Sequence, residues 1–329
     1  MIVLGVDVAK AKLDAALWLS ETRKWYDTKV ENTPNGFAQL LAFSLRKSKQ
    51  PAAQILVVME ATGVYHEALA QALHAAGCRV VIANPKRVRD VAKGLGMLTK
   101  TDAVDARALA RYGELGQAQA WQPPAPELVE LRALLARLHT VEEDLQREEN
   151  RWEKAQIAAT PAIVCDSLTR SLQTLRAERK RLLKAIDDHF DQHPGLKAER
   201  DLLQTIPAVG KVSAHHLLCL LKSRTFANAR QAASLSGLVP IEHTSGSSVR
   251  SKPHLSKQGN SKLRAVLYMA AVASLKHNQE LKTIYTRLRL RGKTALSALG
   301  ALMRHIVHIA YGVLKHQQPY NPAAVSKFC

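Results

Sequence analysis

The sequence has few features of a secreted, zinc-binding or membrane protein. Its four cysteines, at positions 78, 165, 219 and 329, form no CxxC pair, so neither a zinc site nor a disulfide framework is indicated, and a reducing cytoplasm fits best. The amino terminus lacks a basic leader followed by a long apolar run. The most apolar later stretch, residues 295–314, contains one arginine and two histidines, which predicts a packed helix and argues against a membrane span.

Acidic residues are scarce in the last part of the chain. Residues 201–329 carry 18 Lys and Arg against 3 Asp and Glu, whereas residues 1–116 carry 16 against 11 and residues 117–200 carry 13 against 14. The whole chain of 329 residues has a formal net charge of +19, which makes nucleic acid the leading class of partner. Aromatic residues make up only 5% of the chain, so base stacking is not expected to dominate that binding.

The first 120 residues alternate apolar runs with helical patterns. Four β-rich runs predict strands: IVLGVD (2–7), LDAALWL (13–19), ILVVME (55–60) and RVVIAN (79–84). Helices are predicted between them, over 34–47 and 64–77. Strands that alternate with helices indicate an α/β domain with a central sheet, here over residues 1–120.

The rest of the chain reads as mainly helical. After the Pro-rich WQPPAP (121–126), leucines recur at helical spacing on both sides of a break at Thr160 and Pro161. This pattern predicts a coiled-coil helical hairpin over 121–197, which either mediates assembly or simply packs on itself. Within 198–329, the run LLQTIPAVGKVSAHHLLCLL (202–221) resembles a helix-hairpin-helix, although a plain pair of helices has the same pattern.

Four acidic residues stand where an α/β domain can bind a ligand. Asp7 and Glu60 end two of the predicted strands, and strand ends in an open sheet face the crevice where ligands bind. Asp102 and Asp105, in KTDAVDARALARY (100–112), lie on one face of a predicted helix. Carboxylates that converge from separate elements are the ligands that Mg²⁺ prefers, and this arrangement resembles that of ribonuclease-H-like nucleases.

Each acid also has a purely structural interpretation. Asp7 and Glu60 could each cap a turn, and the helix could begin at a cap supplied by Thr101 or Asp102. Arg107 and Arg111 could compensate the two helix acids in an ordinary salt-bridged helix.

The segment HTSGSSVRSKPHLSKQGN (243–260) contains five serines and several basic side chains but no carboxylate. Its composition is compatible with a flexible linker, with a loop that grips phosphates, or with a loop that presents a nucleophilic hydroxyl. A serine hydroxyl needs activation and placement to act as a nucleophile, so composition and spacing alone leave the three readings open.

Several motifs, in one order along nearly the whole chain, resemble the DEDD class of transposases that serve bacterial insertion sequences of the 110 type, to which the Piv DNA invertase is related. The motifs are GVDVAK (5–10), MEATGVY (59–65), KTDAVDARALA (100–110), IPAVG (206–210), ARQAASLSGLVP (229–240), SGSSVR (245–250), SKQGN (256–260) and LRAVLYMAA (263–271). The helical hairpin segment contributes least to the resemblance.

This resemblance implies a RuvC-like, ribonuclease-H-like catalytic domain over 1–120 and a transposase domain over 198–329. The family's acidic tetrad carries over as Asp7, Glu60, Asp102 and Asp105, which would bind Mg²⁺ or Mn²⁺. The family's catalytic serine matches Ser245, although Ser247 and Ser248 are close by. Basic and backbone groups expected to contact nucleic acid are Gly210, Lys211, Arg250, Lys252, Lys257, Lys262 and Arg264.

The function that the resemblance implies is an RNA-guided DNA recombinase of a mobile element. Its partners would be donor and target DNA, an element-encoded guide RNA, also called a bridge RNA, and further copies of the chain in a dimer to tetramer. It would act in the bacterial cytoplasm, at the nucleoid when bound to DNA. The alternatives are a guide-free invertase like Piv, a metal-dependent junction nuclease that uses water, and a nucleic-acid-binding protein without catalysis.

Overall fold

The apolar runs near the amino terminus form one mixed sheet in the computed structural model of the chain. Its strands are β1 (Ile2–Val8), β2 (Lys12–Leu19), β3 (Lys24–Glu31), β4 (Ile55–Glu60) and β5 (Arg79–Ala83), in the spatial order β3-β2-β1-β4-β5. β1, β4 and β5 are parallel, whereas β2 is antiparallel to both β1 and β3. β1 and β4 are buried along most of their length on both faces, which explains their unbroken apolar runs.

Helices cover both faces of this sheet. They are α1 (Pro34–Ser48), α2 (Glu67–Ala75), α3 (Pro85–Gly94) and α4 (Asp102–Glu114), and a short 3₁₀ turn, Ala52–Gln54, precedes β4. The apolar faces of α1 and α2 pack into one core with the sheet, and those of α3 and α4 pack into a second core on its other face. The fold of this part of the chain is therefore α/β, as the alternating pattern predicts.

The sequence pattern missed two of these elements. β3 is an edge strand whose residues alternate between exposed and half-buried, so its sequence KWYDTKVE lacks an apolar run. α3 buries only Val88 among its residues and is otherwise strongly basic, so its apolar residues are too few to mark a helix in the sequence.

α4 lies directly against β1 because two glycines remove the side chains that would separate them. A Cβ on Gly5 would lie 2.0 Å from the carbonyl oxygen of Ala106 in α4, and a Cβ on Gly113 would lie 2.6 Å from the side chain of Val58. At the carboxyl end of α4, beside Gly113, Trp18 Nε1 donates to Glu114 Oε1 at 2.8 Å. Backbone contact with the sheet, not side-chain packing alone, thus sets the position of this helix.

The chain divides into two compact units, Met1–Pro123 and Pro124–Cys329. The structure describes residues 1–61, 63–97, 99, 101–116, 119–242, 244–245, 249–250 and 253–322, and at 244–245 and 249–250 it describes the backbone. The division of the chain into three domains at residues 120 and 197 stays a prediction.

The second unit begins with two long antiparallel helices, α5 (Pro126–Ile157) and α6 (Ala162–Gln192), separated at the break expected from Thr160 and Pro161. Ion pairs join them, with Arg176 Nη2 3.1 Å from Glu149 Oε1 and Arg179 Nε 3.0 Å from Glu142 Oε1. The end of the hairpin near residues 128–141 and 182–190 packs into the same hydrophobic core as the helices that follow.

The remaining elements of the second unit are short strands and helices. They are α7 (Pro194–Gln204), α8 (Lys211–Leu221), α9 (Ala229–Leu235), β6 (Pro240–Ile241), β7 (Thr244–Ser245), β8 (Val249–Arg250), β9 (His254–Leu255), α10 (Ser261–His277), α11 (Gln279–Leu290) and α12 (Ala295–His316). Among the helices of the described residues, α12 alone is long and apolar enough to span a membrane by length and composition. Leu302, Ile306 and Ala310 bury one face of it in the core of the unit, as predicted for a packed helix.

Candidate active site

The strand acids lie on the sheet face that α4 covers. Gly5 of β1 contacts α4, and alternation along the strand places Asp7 on the same face. The antiparallel register pairs Asp7 with Asp14 of β2, so a further carboxylate lies on this face beside it. Glu60, the last residue of β4, shares its face with Val58, which also packs against α4. Parallel pairing of β1 with β4 then brings the ends of both strands to one edge of the sheet.

The first turn of α4 brings the two helix acids to the same place. Thr101 is the cap, because its Oγ1 accepts a hydrogen bond from the Val104 amide at 3.3 Å. Asp102 is exposed and Asp105 is half-buried, and two carboxylates in the first turn are favoured by the partial positive charge of a helix amino terminus.

The two arginines of α4 have other partners than these acids. Arg107 pairs with Asp27 of β3, with Nη2 2.5 Å from Oδ2. Arg111 pairs with Glu114 at 2.6 Å and stacks over the ring of Trp18, 4.0 Å from its centroid. These contacts weaken the interpretation of Asp102 and Asp105 as members of an ordinary salt-bridged helix.

The electrostatics of Asp7 show that the acids converge. Burial, together with the negative charges of Asp102, Asp105, Asp14 and Glu60, raises the pKa of Asp7 to about 6. The half-buried carboxylate of Asp7 is thus exposed to the negative charge of four other carboxylates, which belong to β2, β4 and α4. Negative charge concentrated in this way is stabilised by a cation.

Two lysines that sequence reasoning missed lie within this acidic cluster. Lys12 Nζ is 2.5 Å from Asp102 Oδ2 and 3.4 Å from Asp14 Oδ2, and Lys29 Nζ is 3.0 Å from Asp14 Oδ1. The hydrogen bond from Lys12 holds the pKa of Asp102 below its usual value. Lys12, Asp14 and Lys29 could have been found only by deducing how β2 pairs with β1 and β3, since nothing in their spacing marks them.

The carboxylates of this cluster suit a hard divalent cation chemically, but their side chains are not arranged in a coordination geometry. Carboxylate oxygens are the ligands of Mg²⁺ and Mn²⁺, and the raised pKa of Asp7 reports negative charge that such an ion would neutralise. Among the described residues, no group of three or more His, Cys, Asp or Glu side chains is already arranged to hold a metal. Asp102 is instead engaged by Lys12, so ligation by Asp102 requires this ion pair to open.

The predicted nucleophile lies on a small hairpin in the second unit. β6 pairs with β9, which closes the base of the segment, and within it β7 pairs with β8. Ser245 is the last paired residue of β7, opposite Val249. Ser247, Ser248 and Lys252 lie outside the described residues. The described backbone therefore places Ser245 at the end of a short paired strand, within a segment whose base is closed by β6 and β9.

Two glycines anchor the base of this loop. A Cβ on Gly259, whose φ is +146°, would lie 2.2 Å from the carbonyl oxygen of Leu235, and Lys257 donates its amide to the Gly237 carbonyl at 3.1 Å. Arg264 Nη1 donates to the Gly259 carbonyl at 2.9 Å. Arg264 thus braces the loop, whereas Lys257 and Lys262 are exposed.

One cation beside the turn between α7 and α8 forms an ion pair within the chain. Lys211 Nζ lies 2.5 Å from Asp187 Oδ1, and Gly210 is the exposed residue that precedes α8. Nucleic-acid binding by Gly210 and Lys211 stays a prediction, as it does for Arg250, Lys252, Lys257, Lys262 and Arg264.

A basic surface in the first unit was also missed from the sequence. α3 follows β5 and packs on the face that carries α4, and it exposes Lys86, Arg87, Arg89 and Lys93. In the described part of the chain none of these four cations takes part in an ion pair. Unpaired cations exposed on one helix are suited to contacts with the phosphates of a polyanion.

Two family models match the chain. One, described as a transposase and of the DEDD IS110 type, covers residues 4–156, which include the four acids. The other, described as the transposase IS116/IS110/IS902 family, covers residues 200–286, which include Ser245.

Some similar proteins match nearly the whole chain, and others match about half of it. A pilin gene-inverting protein of Moraxella lacunata is 30% identical over 320 residues, 97% of each chain, and the protein of the same name from Moraxella bovis is equally similar. The insertion element IS110 uncharacterized 43.6 kDa protein of Streptomyces coelicolor is 31% identical over 167 residues, 50% of this chain and 40% of that one. Among solved structures, Thermus thermophilus RuvC matches 36% of this chain and 99% of its own, with 18% identity and a TM-score of 0.28.

Proposed function

The chain belongs to the DEDD transposases of the IS110 type, and from this premise we propose that it is a DNA recombinase that excises and inserts a mobile element through a serine nucleophile and a divalent metal. The observation that carries the metal part of the proposal is the convergence of Asp102, Asp105, Asp14 and Glu60 on Asp7, whose pKa is raised to about 6 by burial and by these four negative charges. The first unit then acts as a RuvC-like catalytic domain, which its strand order and the position of its acids support.

The proposed reaction is a transesterification at a DNA phosphate. The Ser245 oxygen forms a bond to phosphorus, the bond from phosphorus to one deoxyribose oxygen breaks, and that oxygen takes up a proton while the serine loses its own. Attack by a sugar hydroxyl of another strand reverses these steps and frees the serine, so no phosphodiester energy is lost. Mg²⁺ or Mn²⁺ held by Asp7, Glu60, Asp102 and Asp105 would supply stabilisation of the negative charge that develops on the phosphate oxygens.

The basic residues have a separate role in this proposal. α3 and the exposed Lys257 and Lys262 neutralise phosphates and so provide affinity and position without choosing a sequence. The α7–α8 turn acts as a helix-hairpin-helix that adds a further phosphate contact, and the α5–α6 hairpin assembles a dimer to tetramer. The protein works in the cytoplasm, at the nucleoid when it is bound to DNA.

Replacement of the proposed nucleophile separates a serine recombinase from a nuclease that uses water. We expect Ser245→Ala to lose the denaturation-resistant protein–DNA adduct and to lower recombination by roughly a thousandfold or more, because the attacking oxygen is removed. Electrophoresis of labelled DNA after denaturation measures the adduct. Ser247→Ala and Ser248→Ala are the matched controls and should retain it. An adduct of normal yield with Ser245→Ala would show that the assignment is wrong, and free cleaved ends without any adduct in the unaltered protein would favour hydrolysis.

The guide is tested by the nucleic acid that copurifies with the protein. We propose that sequence choice comes from an element-encoded guide RNA, and a guide-free site-specific invertase is the second candidate because the relatives similar along 97% of this chain are pilin gene-inverting proteins. A guided recombinase is expected to retain one structured RNA species, enriched at least tenfold over total cellular RNA. Sequencing of bound RNA, with a mock purification as control, measures this. Recovery of heterogeneous cellular RNA alone would favour the invertase.

A further inference from the structure

The ammonium group of Lys12 lies between a proposed metal ligand and an acid outside the tetrad. It is 2.5 Å from Asp102 Oδ2 and 3.4 Å from Asp14 Oδ2. The two partners come from different elements, since Asp102 begins α4 and Asp14 lies in β2. Lys12 therefore pairs with the Asp102 carboxylate, which would have to be free of this lysine to bind a metal.

Asp14 is arranged to receive this lysine. Its side chain is only 12% exposed, and Lys29 holds one of its oxygens, Oδ1, at 3.0 Å. The other oxygen, Oδ2, lies 3.4 Å from Lys12 Nζ, a longer ion pair than that of Lys12 with Asp102, and has room for a shorter contact. A shift of less than 1 Å along the line between the two acids would bring Lys12 to an ordinary ion-pair distance from Asp14, as judged from the 3.4 Å separation.

We infer that Lys12 is an internal counterion that alternates between Asp102 and Asp14 and thereby sets the affinity of the site for its metal. Without a divalent cation, Lys12 pairs with Asp102 and keeps the carboxylates from repelling one another. When a divalent cation enters, Asp102 is released to it and Lys12 pairs with Asp14 instead. The inference rests on the metal site of the proposed function, and it gives Asp14, an acid outside the tetrad, a definite task.

This exchange makes the two partners of Lys12 affect metal binding in opposite directions. Lys12→Met removes the competitor, so the full-length protein without DNA is expected to bind Mg²⁺ about three- to tenfold more tightly. Asp14→Asn removes the second partner and leaves Lys12 on Asp102, so Mg²⁺ is expected to bind about three- to tenfold more weakly. In the Lys12→Met background the Asp14→Asn effect should shrink to within about twofold, because no lysine remains to be relocated.

Lys29→Met is the matched control for charge alone. Lys29 also pairs with Asp14 but does not contact Asp102, so its loss changes the local field without removing the competitor. We expect its Mg²⁺ affinity to stay within about twofold of the unaltered protein. Lys12→Gln is a second variant that removes the charge while keeping a polar side chain, in case Lys12→Met folds poorly, and it should shift affinity in the same direction as Lys12→Met.

Isothermal titration with Mg²⁺ and the Mg²⁺-dependent rise in melting temperature give two readouts that do not depend on recombination. Tighter binding by both Lys12 variants and unchanged binding by Lys29→Met would support the inference. If the unaltered protein binds Mg²⁺ and the Lys12 variants bind it equally or more weakly, Lys12 positions Asp102 and the exchange is refuted while the metal site stands. If neither the unaltered protein nor any variant shows saturable binding, the metal site and the role of Lys12 are both refuted.

Discussion

Asp7→Asn is expected to stabilise the protein at neutral pH and to abolish recombination. The carboxyl of Asp7 has a pKa of about 6 in the folded chain, against an ordinary value of 3.8, because burial and four neighbouring acids disfavour its charge. Between these two values the folded state holds a proton that the unfolded state has lost, so stability falls as the pH rises through this window. Above about pH 6 the ionised carboxylate destabilises the fold fully, and the amide does not.

The size of this effect is set by the shift in the pKa of Asp7. A shift of about two units corresponds to about 3 kcal/mol in full, and partial exposure of the side chain reduces our expectation to about 1 to 2 kcal/mol. Melting temperatures without divalent metal should therefore differ between Asp7→Asn and the unaltered protein at pH 7.5 and converge near pH 4. Recombination should fall by roughly a thousandfold or more, since a proposed metal ligand is lost.

Asp90→Asn is the control for this experiment. Asp90 is an exposed acid on α3 in the same unit, so its replacement should leave the melting temperature nearly unchanged at both pH values. Addition of Mg²⁺ should raise the melting temperature of the unaltered protein more than that of Asp7→Asn. A loss of stability in Asp7→Asn at pH 7.5, or a difference that does not depend on pH, would contradict the convergence of the acids on Asp7.

Gly5→Ala is expected to have the opposite effect on stability and the same effect on activity. The added methyl carbon would lie 2.0 Å from the carbonyl oxygen of Ala106 and 2.5 Å from the amide nitrogen of Ala110, and both atoms belong to the backbone of α4. Backbone cannot rotate away as a side chain can, so α4 must move or the unit must lose its packing. We expect a loss of about 3 kcal/mol or more in the free energy of unfolding.

Displacement of α4 also removes Asp102 and Asp105 from the strand acids, so Gly5→Ala should lose recombination and the Mg²⁺-dependent rise in melting temperature together. Gly94→Ala is the matched control, because a Cβ there meets no atom within 4 Å and the residue is the last of α3. It should be neutral or stabilise by up to about 1 kcal/mol. Denaturant titration measures both changes, and near-normal stability of Gly5→Ala would show that α4 is not seated on β1 as described.

The elements that the sequence predicts well are those that bury an apolar face. β1, β2, β4, β5 and α12 begin and end within two residues of the predicted runs, and α1 within one. β3 and α3 were missed because most of their residues remain in solvent and few are apolar. α11 was missed although Leu281, Ile284 and Leu288 recur at helical spacing and pack into the core.

The residues of the candidate site also differ in whether local sequence pattern predicts their positions. Asp7 and Glu60 were predictable because strand ends are defined by local pattern, and Asp102 with Asp105 because their spacing places them on one face of a helix. Asp14 and Lys12 were not, because their importance comes from strand register, which is a tertiary property. The choice of Ser245 among three neighbouring serines rested on resemblance alone, since composition and spacing are the same for all three.

The seating of α4 on Gly5 has a consequence for how this enzyme can change over generations. Because backbone touches backbone there, the separation between the strand acids and the helix acids does not depend on the size of the side chains that fill the rest of the core. Substitutions elsewhere in the two cores of the unit can then lower stability by a few kcal/mol and leave the geometry of the carboxylates intact. The reaction can then tolerate losses in the stability of the fold, and the sequence around the site can vary as long as Gly5 and Gly113 are retained.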